Sequence, residues 1–172
     1  MLQLRKYQKR AYVVAIRSGA KAIIIKDKSI LLNQCHHSDG RTYYDLPGGG
    51  QNQYESIEDA VVREVLEETG LTVRVKRFVA LAEEIYTDTD LRCHYSDYAH
   101  CLMHIFLAEL TETPAKAPLE TDYGMERSVW IPVADVQWLD EVRPPQLKNS
   151  LIQILENENP LWLGTVYLDW KG

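Results

Sequence analysis

Residues 49–71, which read GGQNQYESIEDAVVREVLEETGL, hold the most informative local pattern in the chain. A glycine-rich loop leads into a segment that we predict to be a helix from about Ser56 to Thr69. Ser56 is a favourable N-cap, and Asp59 stands three residues later as in a capping box. Gly70 is a typical helix stop, because glycine readily adopts the left-handed backbone that ends helices. The stretch therefore predicts a loop and helix around which the other elements pack.

Three carboxylates share one face of this predicted helix. Glu64, Glu67 and Glu68 are spaced at i, i+3 and i+4, which places them within about 100° of arc. A solvated acidic face is one interpretation of this spacing. Converging carboxylate oxygens are also the ligands that Mg²⁺ and Mn²⁺ prefer in proteins. The glycines ahead of the helix leave backbone groups accessible to a phosphate or a metal. We therefore expect a magnesium site, with manganese as the alternative ion.

The complete spacing resembles the Nudix box, the signature of the Nudix hydrolase superfamily (MutT-like proteins). It runs from Gly49 through Glu55, Arg63 and the three glutamates to Gly70, with Leu46-Pro47-Gly48 ahead of it. The resemblance implies an α/β/α sandwich with a mixed β-sheet. It also implies a pyrophosphatase activity, in which water cleaves a diphosphate linkage of a nucleoside diphosphate derivative with the help of a divalent metal ion.

The resemblance further implies roles for single residues. The expected metal ligands are Gly49, through its carbonyl, and Glu64, Glu67 and Glu68. Glu64, Glu67 and Arg63 are the expected catalytic residues, and Glu55 supports Arg63 in ordering the site. The general base stays open at this point, between box residues and acidic residues of a distant segment: Glu64, Glu67, Glu120, Asp122 and Glu126.

Two positions depart from the commoner form of the box. Asn52 stands where many family members have Glu, and Tyr54 stands where many have Gly. Neither position defines the box, so both bear on the substrate more than on catalysis. Two substrate classes remain open, ADP-ribose-like nucleoside diphosphate sugars and (deoxy)nucleoside triphosphates. The alternative function is a nucleotide-sensing domain without turnover, which would not need all four box glutamates.

Alternating and β-branched runs predict the strands that accompany the helix. We expect strands at 20–25, 30–35, 71–86, 98–110 and 128–131, an extended segment at 43–46, one helical turn at 133–138 and a second helix at 146–156. The apolar run at 11–16 is a candidate strand that Ser18-Gly19 is expected to end, and 87–97 is expected to be a mobile loop. Strands and helices mix without strict βαβ alternation, which favours the α+β class.

Composition narrows the class of partner. The net charge is −6, from 25 acidic and 19 basic residues, so we expect no nucleic-acid platform and no RNA-decapping role. Three cysteines without CxxC spacing indicate a reducing cytoplasm, and no apolar run is long enough to predict a membrane span. We expect one domain over 1–172, with a basic lead-in at about 1–19 and an aromatic tail at about 160–172.

Several residues outside the box are candidate substrate contacts. Tyr44 precedes the glycine turn and could stack on a nucleobase, with core packing as the alternative. Arg41 lies in a polar loop that could face the cleft, and Glu126 precedes a predicted strand. The segment 86–98, with Arg92, is a candidate lid. These residues are expected to decide which nucleotide binds.

Aromatic side chains late in the chain have no part in the box. Trp130 is expected in the core. Trp162, Tyr167 and Trp170 are expected to be buried against the domain, and a homodimer contact is the alternative.

Overall fold

The elements of the fold follow the hydrophobic pattern of the chain. The computed structural model describes residues 16–119 and 124–169. Its strands are β1 (Arg17–Lys26), β2 (Ser29–His36), β3 (Thr42–Asp45), β4 (Val73–Tyr86), β5 (His100–Leu110), β6 (Met125–Pro132), β7 (Val142–Arg143) and β8 (Leu161–Leu168). Its helices are α1 (Ile57–Thr69), α2 (Thr89–His94) and α3 (Leu147–Glu156), with 3₁₀ turns at Ser96–Tyr98 and Val133–Trp138. None of these helices is both long and apolar enough to cross a membrane.

The described strands form one mixed sheet. Seven of them follow the order β7-β3-β2-β1-β5-β4-β8, and β6 pairs with β2 beside this path. The pairs β1–β5, β3–β7 and β4–β8 are parallel, whereas β1–β2, β2–β3, β2–β6 and β4–β5 are antiparallel. The mixed sheet expected from the resemblance is therefore confirmed.

Side chains of β1 alternate between two buried faces of the sheet. Ala22 and Ile24 pack with Val61 and Val65 of α1, whereas Ile23 packs into the opposite cluster with α3. Both faces of β1 are buried, so a strand with this pattern must lie between two helical layers. Each buried valine of α1 contributes about 1.5–3 kcal/mol by leaving water. The α/β/α arrangement, and with it the predicted α+β class, is confirmed.

The glycine turn after β3 is held against β1 by backbone hydrogen bonds. The amides of Ala20 and Ala22 donate to the carbonyls of Gly49 and Pro47, each at 2.8 Å. Gly48 has a φ of 131°, and a Cβ there would overlap the backbone of β1. Only glycine permits so close an approach. The turn is therefore fixed beside the central strand, where the amino-terminal end of α1 begins.

Two local predictions were wrong. Ser18 and Gly19 do not separate two segments but lie within β1 and pair with β5. Gly19 also forms a β-bridge with Gly50. The segment 87–97 contains α2 rather than an unstructured loop. The Asp88 side chain caps that helix by accepting the amide of Leu91. Pairing with the remote strand β5 therefore determines the conformation of Ser18-Gly19, and short-range capping determines that of 87–97.

The expected burial of the late aromatic residues was also wrong where the structure describes them. Trp130 of β6 is 39% exposed, and Trp162 and Tyr167 of β8 are 57% and 68% exposed. Both strands lie at margins of the sheet. β8 is the last strand in the order, and β6 pairs with β2 outside that order. Alternate side chains on such strands point away from the helical layers. Trp170 lies outside the described residues.

Gly70→Ala should destabilise the fold more than Gly40→Ala does. Both glycines have a left-handed φ, 69° and 84°, so each alanine adds about 1 kcal/mol of backbone strain. A Cβ at Gly70 would also collide with the carbonyl of Lys116, whereas Gly40 has open space around it. We expect losses of about 2–4 and about 1 kcal/mol. Urea unfolding of the two variants measures the difference, and equal losses would contradict it.

Candidate active site

Helix α1 begins and ends where its capping residues predict. The Ser56 hydroxyl accepts the amide of Asp59 at 3.1 Å and donates to the Asp59 carboxylate at 2.6 Å. Gly70 adopts the left-handed conformation at the carboxyl end, and its amide donates to Leu66. Helix boundaries predicted from Ser56 and Gly70 are confirmed. The helix that carries the three box glutamates therefore has defined ends.

Arg63 lies at the centre of the box carboxylates. Its guanidinium donates to both oxygens of Glu55, at 2.7 and 2.9 Å, and to Glu64 at 2.6 Å and Glu67 at 3.0 Å. It also donates to the carbonyl of Gly50 at 2.9 Å. The hydrogen bonds from Arg63, and one from a backbone amide, lower the pKa of Glu55 to about 2. Glu55 is therefore charged and paired with Arg63, which also binds Glu64 and Glu67.

Glu68 faces the protein interior. It is 4% exposed, and its Oε2 accepts the Gly48 amide at 2.8 Å and the Asn33 side-chain amide at 2.7 Å. The Asn33 carbonyl oxygen in turn accepts the Ser128 hydroxyl at 2.8 Å. A buried carboxylate needs such donors to offset its lost hydration. Glu68 thus joins α1, the glycine turn, β2 and β6.

The glycine turn brings the backbone of Gly49 against the carboxylate of Glu64. A Cβ on Gly49 would overlap the carboxylate of Glu64, so the close approach of these two residues depends on glycine. The Gly49 carbonyl accepts the amide of Ala20, which leaves its second lone pair for another donor or a cation. Carboxylate and carbonyl oxygens of this kind suit a hard divalent cation. The donor set therefore fits magnesium or manganese.

The carboxylates are held by Arg63 rather than gathered into a cage. Among residues 16–119 and 124–169, no three His, Cys, Asp or Glu side chains converge closely enough to hold a metal ion. Glu64 and Glu67 both accept hydrogen bonds from Arg63. The guanidinium therefore supplies the positive charge that balances the box in this structure.

A cleft opens between the start of β1 and the loop that leads into α1. Its volume is about 720 Å³, within the range of small-molecule sites. It is lined by side chains of the box and of two remote segments, including Arg17, Ser18, Gly50, Tyr54, Glu55, Glu64 and Asp97. The box residues therefore border a space large enough for part of a nucleotide.

A second polar cluster lies on the α3 side of the glycine turn. The Lys21 ammonium donates to Asp45 at 2.9 Å and to the carbonyl of Gly48 at 2.6 Å. Glu84 is 94% buried, and its Oε1 accepts no hydrogen bond from the described residues. Burial raises the pKa of Glu84 to about 7, although Arg143 opposes the shift. This carboxyl is therefore partly protonated near neutral pH.

Sequence reasoning missed Asn33 and Glu84. Each is a buried polar residue within a strand. Asn33 directly follows the apolar run at 30–32, and this interruption could have identified it, because an interior polar group needs partners. Glu84 stands next to Glu83, so its neighbours give no such signal. Ser128 has no comparable signal, since its strand is only half-buried.

The candidate substrate contacts outside the box are not gathered around it. Arg41 pairs with Asp39 in the loop between β2 and β3, and Glu126 of β6 pairs with His36 at 2.8 Å. Tyr44 of β3 packs partly against the α3-side core. Among described residues, neither Arg41 nor Glu126 bonds to a box glutamate. Glu120 and Asp122 lie outside the described residues.

The candidate lid has a defined structure. Arg92 of α2 donates to the carbonyl of Tyr86 at 2.5 Å, which ties this helix to the end of β4. Asp97 reaches the cleft from the following 3₁₀ turn. The segment thus contributes to the wall of the cleft.

The chain belongs to the NUDIX domain family, whose model matches residues 7–151. It is 36% identical over 91 residues to an ADP-ribose pyrophosphatase of Methanocaldococcus jannaschii, across 53% of this chain and 51% of that protein. It is 36% identical over 64 residues to a putative 8-oxo-dGTP diphosphatase of Bacillus subtilis, across 37% and 36%. The chain thus spans about half or less of the length of these curated relatives.

Solved structures show the same fold. A NUDIX hydrolase from Nitrosomonas europaea superimposes with a TM-score of 0.64 at 21% identity, over 82% of this chain and 88% of that one. At this identity the likeness concerns the arrangement of helices and strands. The fold expected from the box is thus found in a protein of the same family.

Glu84→Gln should remove a pH-dependent loss of stability. The folded pKa is near 7 and the ordinary value is near 4.5, so the folded state retains a proton that the unfolded state releases. The free energy of unfolding of the wild type should fall, relative to the variant, as pH rises from about 4.5 to 7. The expected loss is on the order of 3 kcal/mol. Urea unfolding across this range measures it.

Glu83→Gln is the matched control for that experiment. Hydrogen bonds from Thr165 and His100 lower the pKa of Glu83. Its contribution to stability is therefore present above the ordinary value and is lost as pH falls. Between pH 4.5 and 7 the difference between Glu83→Gln and the wild type should therefore stay flat, and an equally flat difference for Glu84→Gln would contradict the burial argument.

Proposed function

We propose that this protein is a hydrolase of phosphoric anhydride bonds that cleaves the diphosphate linkage of a nucleoside diphosphate derivative. The observation that carries the proposal is the arrangement of Arg63 between Glu55, Glu64 and Glu67, with its guanidinium also bound to the carbonyl of Gly50 in the glycine turn. Membership of the NUDIX family supports the same reaction. A structural role alone does not explain why so many carboxylates face a cleft of this size.

Glu64, Glu67, Glu68 and the Gly49 carbonyl are the proposed ligands of a divalent cation, Mg²⁺ or Mn²⁺. When bound, the cation would neutralise the diphosphate and lower the pKa of an attacking water. Glu68 would be oriented for this role by Gly48 and Asn33, its partners in the structure. Arg63 would hold the carboxylates in place through Glu55, whose bidentate pairing fixes the guanidinium plane.

Glu64 and Glu67 are the proposed catalytic carboxylates, and one of them would take the proton of the attacking water. Both lie on the face of α1 that carries Arg63, and Glu64 lines the cleft. Glu126 is a weaker candidate base, because it is exposed and paired with His36. A base must lie within hydrogen-bond reach of the water it activates. The position of Glu64 on the wall of the cleft supports a box residue in this role over Glu126.

The substrate would be a small nucleotide, and two classes are supported by relatives. One relative is named ADP-ribose pyrophosphatase and the other a putative 8-oxo-dGTP diphosphatase. We therefore propose either an ADP-ribose-like nucleoside diphosphate sugar or a (deoxy)nucleoside triphosphate. Cys35, Cys93 and Cys101 are free thiols, which supports the proposed cytoplasmic location.

Glu64→Gln and Glu67→Gln should each reduce turnover by about a hundredfold or more, because each removes a charged oxygen donor without changing the shape of the side chain. The assay is product release from ADP-ribose and dATP with Mg²⁺, repeated after chelation with EDTA, which should abolish it. Glu58→Gln is the control, since Glu58 lies in the first turn of the same helix and is exposed.

Full activity of Glu64→Gln and Glu67→Gln would overturn the assignment of the box carboxylates. Loss of activity in Glu58→Gln as well would indicate a general effect on the helix. Circular dichroism of all three variants checks that the helix remains folded.

A further inference from the structure

Arg17 brings a positive charge to the cleft beside the box. Its guanidinium lies 4.3 Å from the centroid of the Tyr98 ring, and it lies so close to Gly50 that a Cβ there would overlap it. In the part of the chain that the structure describes, Arg17 forms no ion pair with a carboxylate. An arginine held by an aromatic ring and facing a cleft is suited to bind a phosphate.

Tyr54 occupies a backbone position that favours glycine. The turn from Asn52 to Glu55 is closed by a hydrogen bond of 3.2 Å from the Glu55 amide to the Asn52 carbonyl. Tyr54 is the third residue of this turn and has a φ of 69°. Its side chain is 98% exposed at the cleft, so it gains nothing from packing. A strained and exposed aromatic residue beside a site points to a role in binding.

The charges of the cleft favour a neutral group beyond the diphosphate. Among the described residues that line the cleft, Glu64 and Asp97 are acidic in addition to Glu55, which is paired with Arg63, and Arg17 is basic. A further phosphate would be repelled by the two carboxylates, whereas a sugar would meet hydrogen-bond acceptors for its hydroxyls. Ser18 and Tyr54 are neutral polar residues of the same lining. The volume of about 720 Å³ is sufficient for a sugar phosphate.

We propose that this cleft is the subsite for the sugar-phosphate half of a nucleoside diphosphate sugar, an inference that rests on the proposed function. Arg17 binds the phosphate attached to the sugar. Tyr54 packs its ring against the sugar, and Asp97 accepts from the sugar hydroxyls. The subsite makes the nucleoside diphosphate sugar the preferred substrate over the nucleoside triphosphate.

The first test is direct binding of ribose 5-phosphate, measured by calorimetry with Mg²⁺ present. The wild type should bind, and Arg17→Gln should weaken the affinity about tenfold or more, because a charge-assisted contact is lost. Arg74→Gln is the matched control, since Arg74 is an exposed arginine paired with Glu109 on β4. The proposal is overturned if the wild type does not bind the sugar phosphate, or if Arg17→Gln binds it as well as Arg74→Gln does.

The second test separates a binding role of Tyr54 from a structural one. Tyr54→Gly relieves the positive φ, so its thermal midpoint should rise, while kcat/KM for ADP-ribose should fall about tenfold. Tyr54→Phe retains the ring and should keep most of the activity. For Tyr54→Gly, kcat/KM should fall less for dATP than for ADP-ribose. A parallel loss for dATP, or an unchanged kcat/KM for ADP-ribose, overturns the proposal.

Failure of this inference is distinguishable from failure of the proposed function. If the protein hydrolyses nucleotides through Glu64 and Glu67 but Arg17 and Tyr54 have no effect on the sugar, only the subsite is wrong. If no nucleotide is hydrolysed, the proposed reaction is wrong, and calorimetry with ribose 5-phosphate still reports on the cleft.

Discussion

The buried carboxylate of Glu68 is the constraint on which the site depends. One oxygen accepts the amide of Gly48 and the side chain of Asn33, at 2.8 and 2.7 Å. An interior charge is tolerated only when such donors replace its water, and each charged hydrogen bond contributes about 1.5–3 kcal/mol. These donors are in place only when α1 is correctly rotated and the glycine turn has its tight path. Glu68 therefore fixes the rotation of the helix and, with it, the direction of its other carboxylates.

Arg63 solves the electrostatic problem that this rotation creates. Turning α1 toward the glycine turn brings Glu55, Glu64 and Glu67 within reach of one another, in a chain whose net charge is already −6. The guanidinium satisfies all three, and its contact with the Gly50 carbonyl ties them to the turn. The same residue therefore balances the charge and maintains the geometry. A divalent cation, as proposed above, would share with Arg63 the task of balancing these carboxylates.

The helix and its carboxylates could be predicted because their causes are local. Ser56, Gly70 and the i, i+3, i+4 spacing act within a few residues, and the structure follows them. The path of the glycine turn and the partners of Glu68 depend on β1 and β2, which are remote in sequence. The burial predicted for Trp130 and Trp162 was wrong, because both are exposed on strands at margins of the sheet. The order of the strands cannot be read from composition. The roles of the site residues remain predictions.

The carboxyl end of α1 is completed by a segment far along the chain. The amide of Lys116 donates to the Gly70 carbonyl and that of Leu119 to the Glu67 carbonyl, each at 2.8 Å. The box is contiguous in sequence, yet its first residues are hydrogen-bonded to β1 and its last residues to this segment. The box sequence alone therefore does not hold this geometry, because an isolated peptide would lack both sets of contacts. Its full geometry therefore requires these long-range contacts as well as the local signals of the helix.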